Sequence, residues 1–237
     1  MVRSANKNFS GFFPSTQIFL RNLQKNNNKS WFEKNRSVYR EVLLWPMQQL
    51  VMDLHHTISE IDPDIETRPL INRAISNIYR DTRFSKDKSL FKERMWLVFK
   101  RPLKEWKDKL PGFFFEIDPE SYRYGMGYYS ASRPVMDAFR KTVLTKPARF
   151  SQLVSFRLNP KNKILLEGET YKRPIISEFP AELKEWFNLK TFYFCCNKKS
   201  DAVLYSSDLV VELQKAFIQL APLYRFLIGL VPEESQR

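Results

Sequence analysis

The sequence predicts an α+β fold, an antiparallel central sheet flanked by N-terminal and C-terminal helices, and three observations carry that prediction. Apolar residues recur at helical spacing through the first sixty residues, and again from Asp208 onward. Between them stand four short runs rich in aromatic and β-branched residues, bounded by turn formers. The runs follow one another over short links with no helical pattern between them, which favours a meander over alternating βαβ units.

Pro14, Ser15 and Thr16 open a first helix over "TQIFLRNLQKN", in which Ile18, Phe19 and Leu23 share the helical period. "NNNK" at 26–29 makes a turn. Ser30 and Glu33 stand at capping-box spacing, where each side chain satisfies a backbone N–H at the start of a second helix. That helix carries Trp31, Phe32, Val38, Tyr39 and Val42. Pro46 kinks it or occupies the first turn of a new helix running to about Ile61, and "DPDIETRP" is a loop. The four strand-like runs are "AISNIYRD", "RMWLVFK", "GFFFEID" and "YRYGMGYYS". Ser132 and Pro134 then open a helix through Leu144, and another covers Pro147 to Leu158. "KILLEGETYKR" reads as a hairpin, "PAELKEWF" as a short helix and "TFYFCCN" as a buried strand. The last helix, Asp208 to about Leu230, aligns Leu209, Leu213, Phe217 and Leu220, with Ser207 as its N-cap. No linker, repeat or low-complexity tract divides the chain, so residues 1–237 are expected to form a single domain.

Composition narrows the function. Hydrophobic residues at 43% and aromatics at 15% supply a core and exclude disorder. With only 6 Gly, a phosphate-cradling glycine loop is not expected. The 39 Lys+Arg against 26 Asp+Glu leave +13, a balance that attracts nucleic acid, phosphometabolites or anionic lipid unless it serves solubility alone. Cys195 and Cys196 are neighbours, poorly placed for a disulfide and too few for a zinc site, so they are expected to act as small core residues in a reducing compartment. "MVRSANKNFSGFF" lacks a secretory pattern, and the apolar tail is broken by Gln219, Pro222 and Arg225. The chain therefore reads as cytoplasmic, without membrane insertion.

The chemistry concentrates in "IYRDTRFSKDKSLFKERMWLVF", which sets nine charged residues between two apolar segments. Between Ile78 and Arg94 six are positive and three negative, an excess that suits an anion. If the run is extended, Asn77, Tyr79, Asp81 and Arg83 face one way, and Ile78, Arg80, Thr82 and Phe84 the other. A bulge would re-aim them. Arg80, Arg83 and Lys88 are the candidate grips for phosphate or carboxylate, with Lys86 and Lys92 in support. Asp81 and Asp87 would orient those groups or act as acid and base. The plain alternative is an ion-pair network pinning a loop, although exposed pairs are worth only about 0–1 kcal/mol each.

This segment also carries a resemblance. "NNNKSWFEKNR" followed by "IYRDTRFSKDKSLFK" resembles a bacterial domain-of-unknown-function family, with some fungal members, whose signature is R-D-x-R-F-x-x-D-K. Arg80, Asp81, Arg83, Phe84, Asp87 and Lys88 match that signature in order, and Asn26, Asn27, Asn28, Lys29, Trp31 and Phe32 match the family's N-terminal pattern. Many members continue with Pro and Tyr where this chain has Leu90 and Phe91, so no tyrosine hydroxyl is available there. The likeness spans nearly the whole chain. It implies a shared fold and a shared site, and it names no activity or cofactor.

Other features are weighed as follows. Asn28 and Lys29 precede a helix start, where exposed N–H groups favour anions, and the plain reading is ordinary capping. "YGMGYYS" has Ser130 where a dinucleotide fingerprint needs its third glycine, and it lies in a strand-like run. Gly125 and Gly127 permit a bulge or a close approach, while Tyr122, Tyr124, Tyr128 and Tyr129 can stack a base or sugar, though packing is their commoner use. His55 and His56 diverge on a helix and cannot share a metal, so metal chemistry would fall to carboxylates such as Asp81, Asp87, Glu93, Glu116 or Asp118. Three functions stand in order: a binder of an anionic small molecule, with or without catalysis; a nucleic-acid-binding module using the basic surface; and an interaction domain with an ion-pair-locked loop.

Overall fold

Pro14 starts α1 (Pro14–Lys25), as the sequence predicts, in a computed structural model that describes residues 8–83, 86–102, 110–173 and 183–230. Phe19, Leu20 and Leu23 form its buried stripe, whereas Ile18 is half exposed. Helices α2 (Lys29–Lys34) and α3 (Arg36–Tyr39) follow, then a π-helical turn (Arg40–Leu44) and α4 (Trp45–Ile61). The predicted capping box is corrected here. Asn28 is the N-cap, its side chain accepting from the Trp31 N–H at 3.0 Å, and Glu33 instead pairs with Arg36. "NNNKS" offers several residues able to cap, and the chain uses one two positions earlier than Ser30.

Pro46 begins α4 within its first turn, and the π-helical turn just before it has the same origin. Proline lacks the N–H that would bond the Val42 carbonyl one helical turn back. That carbonyl accepts the Thr16 hydroxyl of α1 at 2.5 Å instead.

The sheet has five strands in the order β1-β2-β3-β5-β4: β1 (Met95–Phe99), β2 (Gly112–Ile117), β3 (Ser121–Gly127), β4 (Leu165–Thr170) and β5 (Leu189–Lys199). It is open and antiparallel, and with its helices it gives the expected α+β fold. Two expected strands change. "AISNIYRD" makes only isolated bridges among the described residues, antiparallel from Ile75 to Leu97 and Tyr79 to Phe91 and parallel from Ile75 to Ile71. "KILLEGETYKR" is no hairpin: β4 runs as one strand antiparallel to β5, from Leu165 opposite Cys195 to Thr170 opposite Leu189. Gly168, which suggests a turn, is a point of close approach, since a Cβ there would lie 2.2 Å from the Thr191 carbonyl oxygen.

The second expected helix after the sheet is split. Helix α5 (Arg133–Thr145) is followed by α6 (Pro147–Leu153) and a 3₁₀ turn (Ser155–Leu158). Of "PAELKEWF", Pro180, Ala181 and Glu182 lie outside the described residues, and α7 spans Lys184–Phe187. Helix α8 (Asp208–Ile228) begins directly after Ser207.

The chain divides into two compact units. One holds the described parts of Met1–Phe99, Phe114–Tyr124 and Asn197–Ala216, and the other those of Lys100–Phe113, Gly125–Cys196 and Phe217–Arg237. The first is built on α1 to α4, where Phe12 stacks on Phe115 at 5.6 Å and Phe32 packs on Tyr39 at 5.4 Å. Buried Gln17 ties distant parts of this unit, donating to the Asp118 carbonyl at 3.2 Å and to Ser200 Oγ while accepting from the Tyr205 hydroxyl. The second unit centres on Phe139, Phe150, Trp186 and Phe192, with Phe150 edge-on to Trp186 at 4.8 Å. Buried Arg140 donates to the carbonyls of Phe187 (3.0 Å) and Leu189 (2.7 Å), filling acceptors left open after α7. Cys195 and Cys196 are both buried there, as expected.

Tyr39 of α3 is 5% exposed, and its hydroxyl has no hydrogen-bond partner among the described residues. Burial, then the neighbouring Tyr79, pushes its pKa up to about 12. An acid whose pKa is raised by folding contributes stability that is intact below pH 10 and declines as pH rises towards 12, a loss of roughly 2–3 kcal/mol. Tyr39→Phe is therefore expected to raise neutral-pH stability by up to about 1 kcal/mol and to flatten that alkaline decline, read by urea unfolding at stepped pH. A loss of stability at neutral pH would show that the hydroxyl is satisfied.

Candidate functional site

The charged segment folds back on itself as an irregular antiparallel pair. Arg80 N–H bonds the Leu90 carbonyl at 2.9 Å, and Lys92 N–H bonds the Ile78 carbonyl at 2.8 Å. Between the two bridges, three residues (76–78) face five (92–96), so the return strand carries two extra residues. Such an excess breaks alternation and turns side chains towards one another. Lys92 itself lies opposite Ile78, next to the Tyr79–Phe91 bridge, so ordinary antiparallel pairing sets it diagonal to Arg80 on the same face. Its ammonium donates to the Asn77 carbonyl at 2.7 Å and sits 4.5 Å from the centre of the Trp96 ring.

The predicted residues divide into two groups. The Arg80 side chain is 25% exposed and pairs with Asp87 at 3.1 Å, whereas that of Arg83 is 74% exposed and grips Asp81 through two parallel bonds of 3.0 and 2.7 Å. Arg80 and Lys92 are brought together; Arg83 is turned outward with its own carboxylate. Lys88 donates to the Thr82 carbonyl at 2.7 Å and cross-ties the loop, and Lys86 is exposed. Phe84, part of the resemblance, lies outside the described residues.

Electrostatics separate the groups further. Burial first, and the Arg80 charge second, hold the Lys92 ammonium below its ordinary pKa. The Nε of Arg80 is buried and has no acceptor among the described residues. Asp81 is held down to about 2 by hydrogen bonds from the Arg83 side chain and backbone, and Asp87 is lowered chiefly by hydrogen bonds from Ser89. Both aspartates are ionised at neutral pH, so neither is poised to donate a proton there.

The asparagine turn packs against this segment through Asn27. Its side-chain amide donates to the Phe91 carbonyl and accepts the Phe91 N–H, each at 2.9 Å, and Phe32 stacks on Phe91 at 4.3 Å. Asn28 and Lys29 are thereby carried close in the fold, but the Asn28 oxygen is already used as the cap and Lys29 is exposed. Sequence reasoning weighed the 26–29 turn but singled out Asn28 and Lys29 rather than Asn27, and it missed Trp96.

The tyrosines sort by burial: Tyr122, Tyr124 and Tyr128 are core residues, and Tyr129 is 88% exposed. Gly125 and Gly127 make the close approach expected of them, against the backbone of β5 rather than a ligand. Among the described residues no group of three or more His, Cys, Asp or Glu is placed to hold a metal, and no helix is long and apolar enough to cross a membrane. A cleft of about 740 Å³ lies along Gln24, Glu93, Arg94, Glu120, Lys199 and Ser200, and none of the predicted anion-binding residues lines it. Its charges are mixed and Glu93 is bonded to Gln24, so the cation pair is the stronger candidate.

Fold and site thus define an α+β protein with an open antiparallel sheet and a half-buried cation pair beside an aromatic cluster. Residues 15–226 match the family described as conserved hypothetical protein (DUF2461), and the chain belongs to that family. No curated protein matches it.

Proposed function

We propose that the protein binds a phosphate-containing or other small anion between Arg80 and Lys92, with Lys88 and Lys86 adding charge at the rim. The observation that carries this reading is the pairing of two half-buried cations in which Arg80 Nε has no acceptor among the described residues and the Lys92 ammonium is disfavoured by burial and then by the Arg80 charge. Arg80 has Asp87 and Lys92 has the Asn77 carbonyl, yet the two cations still oppose one another, and an arriving anion would favour both together. Asp81 and Asp87 act as orienting groups, each already ionised.

The test is thermal unfolding of the protein and of Lys92→Met in inorganic phosphate, a sugar phosphate and a nucleotide. Methionine keeps the packing of the lysine stem on Trp96. The expected result is a selective rise in melting temperature, absent in the variant, whose own stability stays within about 1 kcal/mol of wild type. Binding should fade as pH climbs towards the depressed Lys92 pKa. A variant that loses several kcal/mol, with no anion-dependent shift in wild type, would establish the ion-pair lock instead. Arg83→Ala, the more obvious choice from sequence, is expected to weaken binding only mildly because its fork is filled by Asp81.

A further inference from the structure

The charge of the chain is not centred on the Arg80 loop. Residues 133–173 hold ten Lys and Arg against three Asp and Glu, +7 of the total +13. From Lys141 to Lys163 there are six cations and no acid. Lys141 lies on the last turns of α5, Lys146 joins α5 to α6, Arg149 is on α6, and Lys161 and Lys163 lead into β4. All five are exposed. Arg157 is engaged, pairing with Glu185 at 2.6 Å across the Trp186 face. The α5, α6 and 3₁₀ segments pack consecutively on one another, so the cations follow one continuous acid-free stretch of chain in the second unit.

We infer that this acid-free surface docks the phosphodiester backbone of a nucleic acid, at a site separate from the Arg80–Lys92 pair. Two facts select this partner over a lipid surface. A membrane-surface helix needs a free apolar face, and that of α5, formed by Val135, Met136, Phe139 and Val143, is buried in its own unit. The residues exposed between the cations include five hydrogen-bonding ones, Thr145, Ser151, Gln152, Ser155 and Asn159, while the apolar ones, Leu144, Pro147, Ala148, Leu158 and Pro160, include no aromatic side chain able to insert into a bilayer. Lysine, arginine and short polar side chains are the groups that contact phosphate and sugar without reading sequence.

Five phosphate contacts on duplex DNA predict that log K falls with log salt at a slope of about −4.5. The experiment is fluorescence anisotropy of a labelled duplex of about twenty base pairs across a potassium chloride series. The wild type, Lys92→Met and the triple variant Lys141→Gln/Lys146→Gln/Arg149→Gln are compared. The triple variant is expected to weaken binding and to reduce the slope by about 2.7, independently of duplex sequence, while Lys92→Met keeps the wild-type slope. The three exposed substitutions leave the melting temperature and any small-anion shift unchanged, which separates failure of this inference from failure of the Arg80–Lys92 reading. A wild-type slope in the triple variant overturns it. So does absence of duplex binding at low salt, or binding to anionic vesicles alone.

Discussion

Gly125→Ala is expected to remove more than about 4 kcal/mol of stability and to leave little soluble folded protein. A Cβ at this position would lie 1.8 Å from the Phe194 carbonyl oxygen and 2.8 Å from Cys195 Cα. Both are backbone atoms of β5, so no side-chain rotation relieves the clash, and the strands must separate. Separation would disturb the ladder where Tyr128 N–H meets the Phe192 carbonyl at 2.8 Å and where Thr191 bonds back to Tyr128. Gly229 supplies the control, because a Cβ there meets nothing nearer than 3.5 Å and alanine should change stability by under about 1 kcal/mol. Urea unfolding of both variants decides the matter. Equal stability would mean that the strand spacing is more yielding than this geometry allows.

Lys198→Met should be the most damaging change among the charged residues, at about 2–4 kcal/mol. The Lys198 side chain is 16% exposed and bridges Glu212 at 2.9 Å and Asp201 at 3.0 Å. Tyr124 donates to Glu212 at 2.7 Å, and Tyr122 to Asp201 at 3.0 Å. Burial acts to lower the lysine pKa, but its bonds to Tyr122, Glu212 and Asp201 prevail and raise it. For Asp201 burial opposes ionisation, and bonds from Lys198 and Tyr122 win, holding the carboxyl below its ordinary range. A depressed carboxyl stabilises the fold above the usual aspartate pKa, and that contribution disappears as pH falls through the lowered value. Without Lys198 the carboxyl titrates higher, so acid unfolding should begin at a higher pH. An unchanged acid midpoint in the variant would show that the network is solvated rather than coupled.

Local pattern made much of the fold legible. Pro14, Pro46, Pro134 and Pro147 mark helix starts because proline is favoured where its missing N–H is not required. The aromatic runs became β1, β2 and β3 because their alternation matches one buried face. What failed was local evidence with two meanings. Gly168 signals a turn or a close approach, and only the position of Thr191 decides between them. Ser30 and Asn28 both cap well, and the packing of Phe32 on Phe91 favours the earlier start. The candidate site was legible as composition but not as geometry. Strict alternation separates Arg80 from neighbouring charges on its own strand, while the Tyr79–Phe91 pairing that sets Lys92 diagonal to Arg80 is fixed only across the loop. The Asn27–Phe91 contact spans 64 positions and leaves no mark within either segment.

The Gln17 bonds to Ser200 and Tyr205 join residues 183 and 188 positions apart, and the Phe12 N–H bonds the Leu204 carbonyl in the same unit. On a ribosome, which adds about 5–20 residues per second, the chain completing this unit follows the first helices by roughly 10–40 s. Until then the nascent helices have no Ser200 or Tyr205 to close upon. Phe12, buried in the finished protein, lacks its bond to the Leu204 carbonyl throughout that interval. Slow synthesis or truncation before Ser200 would therefore expose the oldest part of the chain rather than the newest.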